Sequence, residues 1–419
     1  MKPLHVCIDA RLRGGTSGGV EQVVIGLASA LRRLEDGNER YSLLVVPGQE
    51  EWIEPYTGGR VQLLRGPTPP TPSFWRRLAA GRAPWLRRFY HQLSPFLGQR
   101  AVHVPASDGT IEAAGVDVMH FTHQYAFLTD VPSLYHPHDL QHVHLPQFFS
   151  PRERQLRDAL YQTYCDQAAI VPVTASWGRG DLIDYFGLDP DRVTVVPWGS
   201  VLSAYEEPSA ADLAEARRTL NLPEAFVFYP AQTWPHKNHI GLLEAMAELR
   251  DRHQLRLHFV GTGHQNAGFP AIQRRVAELG LEDQVRFLGF VTGTQLRCLY
   301  RLCRMVCIPT RFEAASFPMW EAFQSGAPCA CSNVTSLPAQ AGDAALVFDP
   351  DDRRSMVESL RRLWSDENLR ADLVEKGHER VRAFTWDRSA RHFRAWYRSL
   401  GGRPLTAADT EHLDAPALL

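Results

Sequence analysis

The chain has 419 residues, 44% of them hydrophobic and 22% charged, which excludes a disordered or coiled-coil chain and favours two domains of roughly 200 residues over one oversized core. Lysine and arginine number 45 against 47 acidic residues, so the molecule is no general polyanion binder, no nucleic-acid partner is expected, and any basic surface must be local. The opening residues lack a long apolar run and no stretch approaches the roughly 20 apolar residues of a membrane span, so a cytoplasmic location is expected.

In chain order, apolar strand-like runs alternate with helix-like periodicity, the pattern of parallel α/β sheets covered by helices. The first run is Leu4 to Ala10. Gly14-Gly15-Thr16-Ser17-Gly18-Gly19 follows it, then a helical face of Val20, Val23, Val24, Leu27 and Leu31. These glycines either let a backbone approach a ligand or form a plain flexible loop, and their spacing is not GxGxxG. Further strands are expected at Ser42–Pro47, Val118–Thr122, Ser133–Pro137, Ile170–Ala175 and Val193–Pro197. A polar stretch at about 200–222 interrupts the rhythm. It resumes with Phe226–Ala231, Leu255–Gly261, Val285–Phe290, Met305–Thr310 and Cys329–Asn333. Two doubly wound sheets should therefore face each other, with a ligand cleft at the carboxyl ends of their strands.

Residues 55–107 carry eight Arg and no Asp or Glu, and interleave aromatic with cationic side chains at 74–77 and 85–89. That composition suits an anionic membrane surface or an anionic acceptor, or else an arginine face on water with aromatics turned inward. Six histidines fall at 120, 123, 136, 138, 142 and 144. No metal is expected there, because the spacing lacks an HExxH helix or a Cys/His knuckle; a cleft histidine whose tautomer is set by a neighbour such as Asp139 fits better. The seven cysteines have no paired CxxC knuckles and are expected as free thiols.

Only Lys2, Lys237 and Lys376 are lysine, so 42 of 45 basic residues are arginine. Lys237 lies in the loop Tyr229–His239, just before an expected helix. An ammonium at a helix start opposes the dipole, and its presence there makes sense if an anion shares the site. The segment Arg311–Phe323 joins a strand to a helix beginning near Pro318. Free N–H groups around Ser316 and Phe317 would form an anion site, with Ala314, Ala315 and Ser316 small enough to admit phosphate or sugar. Glu321, one turn inside, suits paired ribose hydroxyls, and Glu313 a second polyhydroxylated group.

These residues resemble family 4 glycosyltransferases, retaining enzymes of the two-Rossmann-domain GT-B type. The Glu-x7-Glu hallmark is met by Glu313 and Glu321, and Ser325–Pro328 through Ser332–Pro338 to Ala341–Ala345 matches the family's continuation. Within the family the chain looks most like the polysaccharide mannosyltransferase branch with its Pro-His-Lys-Asn loop. The resemblance implies a nucleotide-diphosphate sugar donor, first of all GDP-mannose, a glycan, lipid-linked or small-molecule acceptor, and no metal or other cofactor. It assigns the donor ribose to Glu321, the transferred sugar to Glu313, the diphosphate to Lys237 and the reacting carbon to His138. Other substrate contacts carried over are Gly18, Gly19, His120, Asp139, Gln232, Gly263, Phe290, Ala315, Ser316 and Phe317. It also implies an acceptor half at 1–200, a donor half at 201–385 and a helix crossing back at 386–403. Residues 404–419 hold few bulky side chains and are expected to fray as a tail. Two departures stand out: Gln232 replaces an arginine that many relatives pair with the lysine, so another cation is expected, and Ala314-Ala315-Ser316 replaces Gly-x-Gly. An epimerase or phosphorylase on the same architecture, or a silent sugar-nucleotide sensor, are the competing readings.

Overall fold

The computed structural model describes residues 2–15, 18–66 and 102–419. Five parallel strands form the first sheet: β1 (Leu4–Asp9), β2 (Glu39–Val45), β3 (Val61–Arg65), β4 (Val118–Phe121) and β5 (Ser133–Tyr135), in the order β3-β2-β1-β4-β5. A bridge from Leu134 to Ile170 links it to the parallel pair β6 (Val171–Val173) and β7 (Val193–Val195). Every residue of β1 is buried, because helices cover both faces; such strands read as unbroken apolar runs.

The second sheet contains β8 (Val227–Pro230), β9 (Phe259–Thr262), β10 (Val285–Phe287), β11 (Met305–Ile308), β12 (Cys329–Ser332) and β13 (Ala345–Phe348), all parallel in the order β10-β9-β8-β11-β12-β13. The architecture is therefore two doubly wound α/β sheets. In each, the winding direction reverses once: between β1 and β4, and between β8 and β11. Loops leaving neighbouring strands diverge at such a switch and open a crevice at the strand carboxyl ends.

Strands β3 and β13 lie outside the expected set. β3 is an edge strand with only Val61 fully buried, and β13, at the other sheet's edge, buries only its end residues Ala345 and Phe348, so neither reads as a clear buried run. The stretch at 200–222 contains a helix, Ala210–Thr219, held by a Ser209–Asp212 capping box. Cys303 caps the carboxyl end of helix Gly293–Leu302. All seven cysteines are free thiols.

Helix Trp386–Leu400 crosses back onto the first half, where Trp386, Ala390, Phe393 and Tyr397 join its core. Gly26 of helix Gly19–Arg33 makes room for it, since a Cβ there would lie 2.1 Å from the Trp386 ring. Trp386, Trp198 and Phe317 stack with near-parallel rings, joining the crossing helix, the end of the first half and the second half. The tail, expected to fray, contains a helix in this structure. Residues Ala407–Asp414 form a capped helix, buried Asp409 accepts from Arg398 at 2.7 Å, and the Leu419 carbonyl accepts from the Ser176 N–H at 2.8 Å. Its few apolar side chains are replaced as anchors by these polar contacts.

Residues 67–101, most of the arginine-rich segment, lie outside the described residues.

Candidate active site

The two switch points open onto one cavity of about 590 Å³. From the first half it is walled by Gly18 and Gly19 after β1, Gln124 after β4, and His136, His138 and Asp139 after β5. From the second half come Gln232 and Lys237 after β8, Gly263 after β9, Phe290 after β10, and Glu313, Ala315, Phe317 and Glu321 after β11. Residues hundreds of positions apart meet because each follows the carboxyl end of a strand near a switch.

The Lys237 ammonium donates to Glu313 Oε2 as a direct ion pair, with 18% of each side chain exposed. The loops carrying them are tied together: the His236 carbonyl accepts from the Arg311 N–H at 2.7 Å and from the Thr310 hydroxyl at 3.1 Å. Burial raises the Glu313 pKa above the usual carboxylate range, and the adjacent ammonium works in the opposite direction. Glu321 is more deeply buried and accepts from the Tyr300 hydroxyl at 2.6 Å. Burial pushes its pKa up to about 7, with the Tyr300 bond opposing the shift.

Ser316 does not offer the free N–H expected of it. The Gln340 side chain clamps it, Oε1 accepting from the Ser316 N–H at 2.9 Å and Nε2 donating to its carbonyl at 2.6 Å. Ser316 is fully buried and does not line the cavity; Ala314, Ala315 and Phe317 do. Ser336 Oγ donates to the Ala314 carbonyl at 2.5 Å, so the Ala-Ala-Ser loop is pinned from behind.

His138 holds a left-handed backbone, φ 67°, which is costly for a non-glycine residue and tends to persist where function requires the geometry. Its Nε2 donates to the Thr122 carbonyl at 2.8 Å. That carbonyl, rather than Asp139, sets the tautomer: the Asp139 carboxylate instead accepts from the Gln141 N–H at 3.0 Å. Burial lowers the His138 pKa to about 4, so a neutral ring with a lone pair on Nδ1 adjoins the cavity.

His120 is also displaced from its expected role. It lies within β4, fully buried behind His136, and has no place on the cavity wall. Gln232 reaches across the cleft: its Nε2 lies 2.6 Å from where a Gly18 Cβ would stand, and its Oε1 accepts from Trp234 Nε1 at 2.9 Å. Among the described residues lining the cavity, Lys237 is the sole lysine or arginine, so the second cation expected in place of the missing arginine is not among them. Gly263, φ 114°, brings its backbone against Ala231, where any Cβ would clash at 2.9 Å. Phe290 is exposed at the rim. Among the described residues no three His, Cys, Asp or Glu side chains converge as a metal site. Gln340, Tyr300 and Trp198 escaped sequence reading, since nothing local marks a glutamine, tyrosine or tryptophan as the backing of a distant loop.

A fold of two such sheets with a cation, two buried carboxylates and a strained histidine around the shared cleft defines a GT-B glycosyltransferase scaffold. Comparison with known proteins agrees. The profile described as "Glycosyl transferases group 1" matches residues 212–380, and that of the "Glycosyl transferase 4-like domain" matches 18–199. The chain belongs to the family 4 glycosyltransferases of GT-B fold.

It is 27% identical to O-antigen chain mannosyltransferase B of Escherichia coli over 60% of this chain and 66% of the relative. It is 27% identical to D-inositol 3-phosphate glycosyltransferase of Corynebacterium glutamicum over 62% of this chain and 64% of that one. The matches thus span slightly less than two thirds of these relatives' length. Among solved structures, sucrose-phosphate synthase from Thermosynechococcus elongatus superposes with TM-score 0.69 at 21% identity, covering 95% and 99% of the two chains. Anabaena HepE in complex with UDP and glucose superposes with TM-score 0.68 at 17% identity, covering 94% and 100%.

Proposed function

We propose that the chain transfers a hexose from a nucleotide-diphosphate sugar to a hydroxyl of a glycan, lipid-linked or small-molecule acceptor, with retention and without a metal. The observation that carries this reading is the convergence of Lys237, Glu313 and Glu321 opposite His138 and the Gly18-Gly19 backbone in one cavity. GDP-mannose is the first donor to try, on likeness to a mannosyltransferase.

Cleaving the anomeric bond leaves positive charge on the sugar and negative charge on the departing diphosphate. An enzyme gains most by fixing a cation where the negative charge grows. Lys237 supplies it. Glu321 accepts from the two ribose hydroxyls, Glu313 from hydroxyls of the transferred sugar, and the His138 Nδ1 lone pair from a hydroxyl near the reacting carbon. The acceptor oxygen attacks the anomeric carbon from the face the diphosphate leaves; its proton passes to the departing phosphate oxygen. No protein nucleophile is needed. Closure of the two halves on the donor would exclude water.

The test is incubation of the purified chain with a panel of nucleotide sugars, with and without a chelator, and product anomers read by NMR. Transfer or slow donor hydrolysis, insensitive to chelation and with the anomeric configuration kept, supports the proposal. Tight binding without any turnover would make the chain a sugar-nucleotide sensor instead.

A further inference from the structure

Tyr397 of the crossing helix, His120 of β4 and His136 after β5 form a continuous buried chain of hydrogen bonds. The Tyr397 hydroxyl lies 2.6 Å from His120 Nδ1, and His120 Nε2 lies 2.7 Å from His136 Nε2. All three side chains are buried. Burial pushes the His120 pKa down to about 3 and the His136 pKa well below its ordinary range, so both rings are neutral near pH 7.

A neutral imidazole has one N–H and one lone pair, so the direction of each bond fixes the next. Among the described residues, the Tyr397 hydroxyl has no other acceptor. A buried O–H left without one is costly, so it donates to His120 Nδ1. His120 must then carry its proton on Nε2 and donate to His136 Nε2. His136 in turn must carry its proton on Nδ1. No protein group among the described residues partners that nitrogen, while His136, though buried, is among the residues bordering the cavity, its ring 5.8 Å from that of His138.

We propose that Tyr397 and His120 are positioning residues that lock His136 in its Nδ1–H form, presenting a fixed neutral donor to a phosphate or hydroxyl oxygen of the bound nucleotide sugar. This rests on the reading that the cavity takes a nucleotide sugar. The chemical benefit is directional: with the opposite tautomer, a lone pair would face the ligand oxygen and repel it. The helix that crosses between the two halves thus sets the polarity of a cavity group through two intervening rings.

Two measurements on the full chain test it. Proton–nitrogen correlation spectra of the 15N-histidine-labelled protein report each tautomer without any ligand; the expected pattern is a proton on Nε2 of His120 and on Nδ1 of His136. In Tyr397→Phe, which keeps the ring against Phe393 and Tyr41, the His136 signal should change to a mixture of tautomers. Calorimetric titration with GDP-mannose and GDP, and with UDP-glucose and UDP, should show affinity falling roughly 3- to 10-fold in the variant, the scale of one hydrogen bond. A loss confined to the sugar nucleotide identifies a sugar hydroxyl as the partner; an equal loss with the nucleoside diphosphate identifies a phosphate oxygen. A proton on Nε2 of His136 in the unmodified chain, or unchanged affinities in Tyr397→Phe, would overturn the proposal. If the unmodified chain binds none of the four compounds, the proposed function falls and the ligand role of His136 with it, while the spectra still decide the tautomer.

Discussion

Lys237 and Glu313 neutralise each other across 76 positions of sequence, on the wall where a donor diphosphate is proposed to bind. An incoming diphosphate must therefore displace a carboxylate rather than find a bare ammonium. On the proposed reading the exchange is favourable, because the diphosphate brings more negative charge and frees Glu313 to accept from sugar hydroxyls.

Lys237→Ala should lower transfer by at least ~10²-fold, the scale of losing one group that stabilises developing negative charge. Steady-state rates on the best donor, alongside circular dichroism to verify the fold, check this. Undiminished turnover would remove the diphosphate from this wall.

Donor affinity should depend on pH through Glu321. Its folded pKa is raised to about 7, so the free protein carries a growing share of protonated Glu321 as pH falls through that value. On the proposal that the Glu321 carboxylate holds the donor ribose, affinity should rise with pH to about 7 and level off above it. Glu321→Gln should bind weakly at every pH, which titration between pH 5.5 and 8.5 would reveal. The same shift acts on stability with the opposite sign: the folded state binds the extra proton, so this group's stabilising contribution is full below its unfolded pKa and is lost as pH rises through about 7.

Gln340→Ala should loosen the loop before helix Phe317–Ser325, by removing two hydrogen bonds and leaving the buried Ser316 N–H and carbonyl unpaired. A loss of roughly 1–3 kcal/mol per unsatisfied group sets the scale. Thermal unfolding and the donor KM should both worsen; an unaltered KM would mean that this clamp does not shape the site.

Gly26→Ala should be destabilising although alanine is the better helix former, since its Cβ would overlap the Trp386 ring. Overpacking of this kind costs about 1–3 kcal/mol. A drop in melting temperature, together with a shift in Trp386 fluorescence, would show the crossing helix lifting from its seat.

The arginine-rich segment is tested separately. Replacing Arg76, Arg77, Arg87 and Arg88 by Gln should weaken co-sedimentation with anionic lipid vesicles at low salt. Equal sedimentation would dismiss a membrane role for these side chains. No helix among the described residues is long and apolar enough to cross a membrane.

Much of the architecture could be read from residue order alone. Strands buried on both faces leave unbroken apolar runs, so β1, the Leu43–Val45 end of β2 and most of the other strands were recognisable, while β3 and β13, at sheet edges and partly wetted, were not. Glu313 and Glu321 drew notice through their place at a strand-loop-helix junction and their likeness to the family's Glu-x7-Glu, and Lys237 because lysine is rare in this chain. Interactions between distant segments leave no comparable local trace. Only the tertiary structure paired Lys237 with Glu313, gave the Ser316 backbone to Gln340, moved tautomer control of His138 from Asp139 to Thr122, withdrew His120 behind His136, and folded the tail onto the crossing helix. The division has a physical cause: burial and helix periodicity are imposed on neighbours along the chain, whereas hydrogen-bond partners and shifted proton affinities depend on which strand ends the winding of the sheets brings face to face.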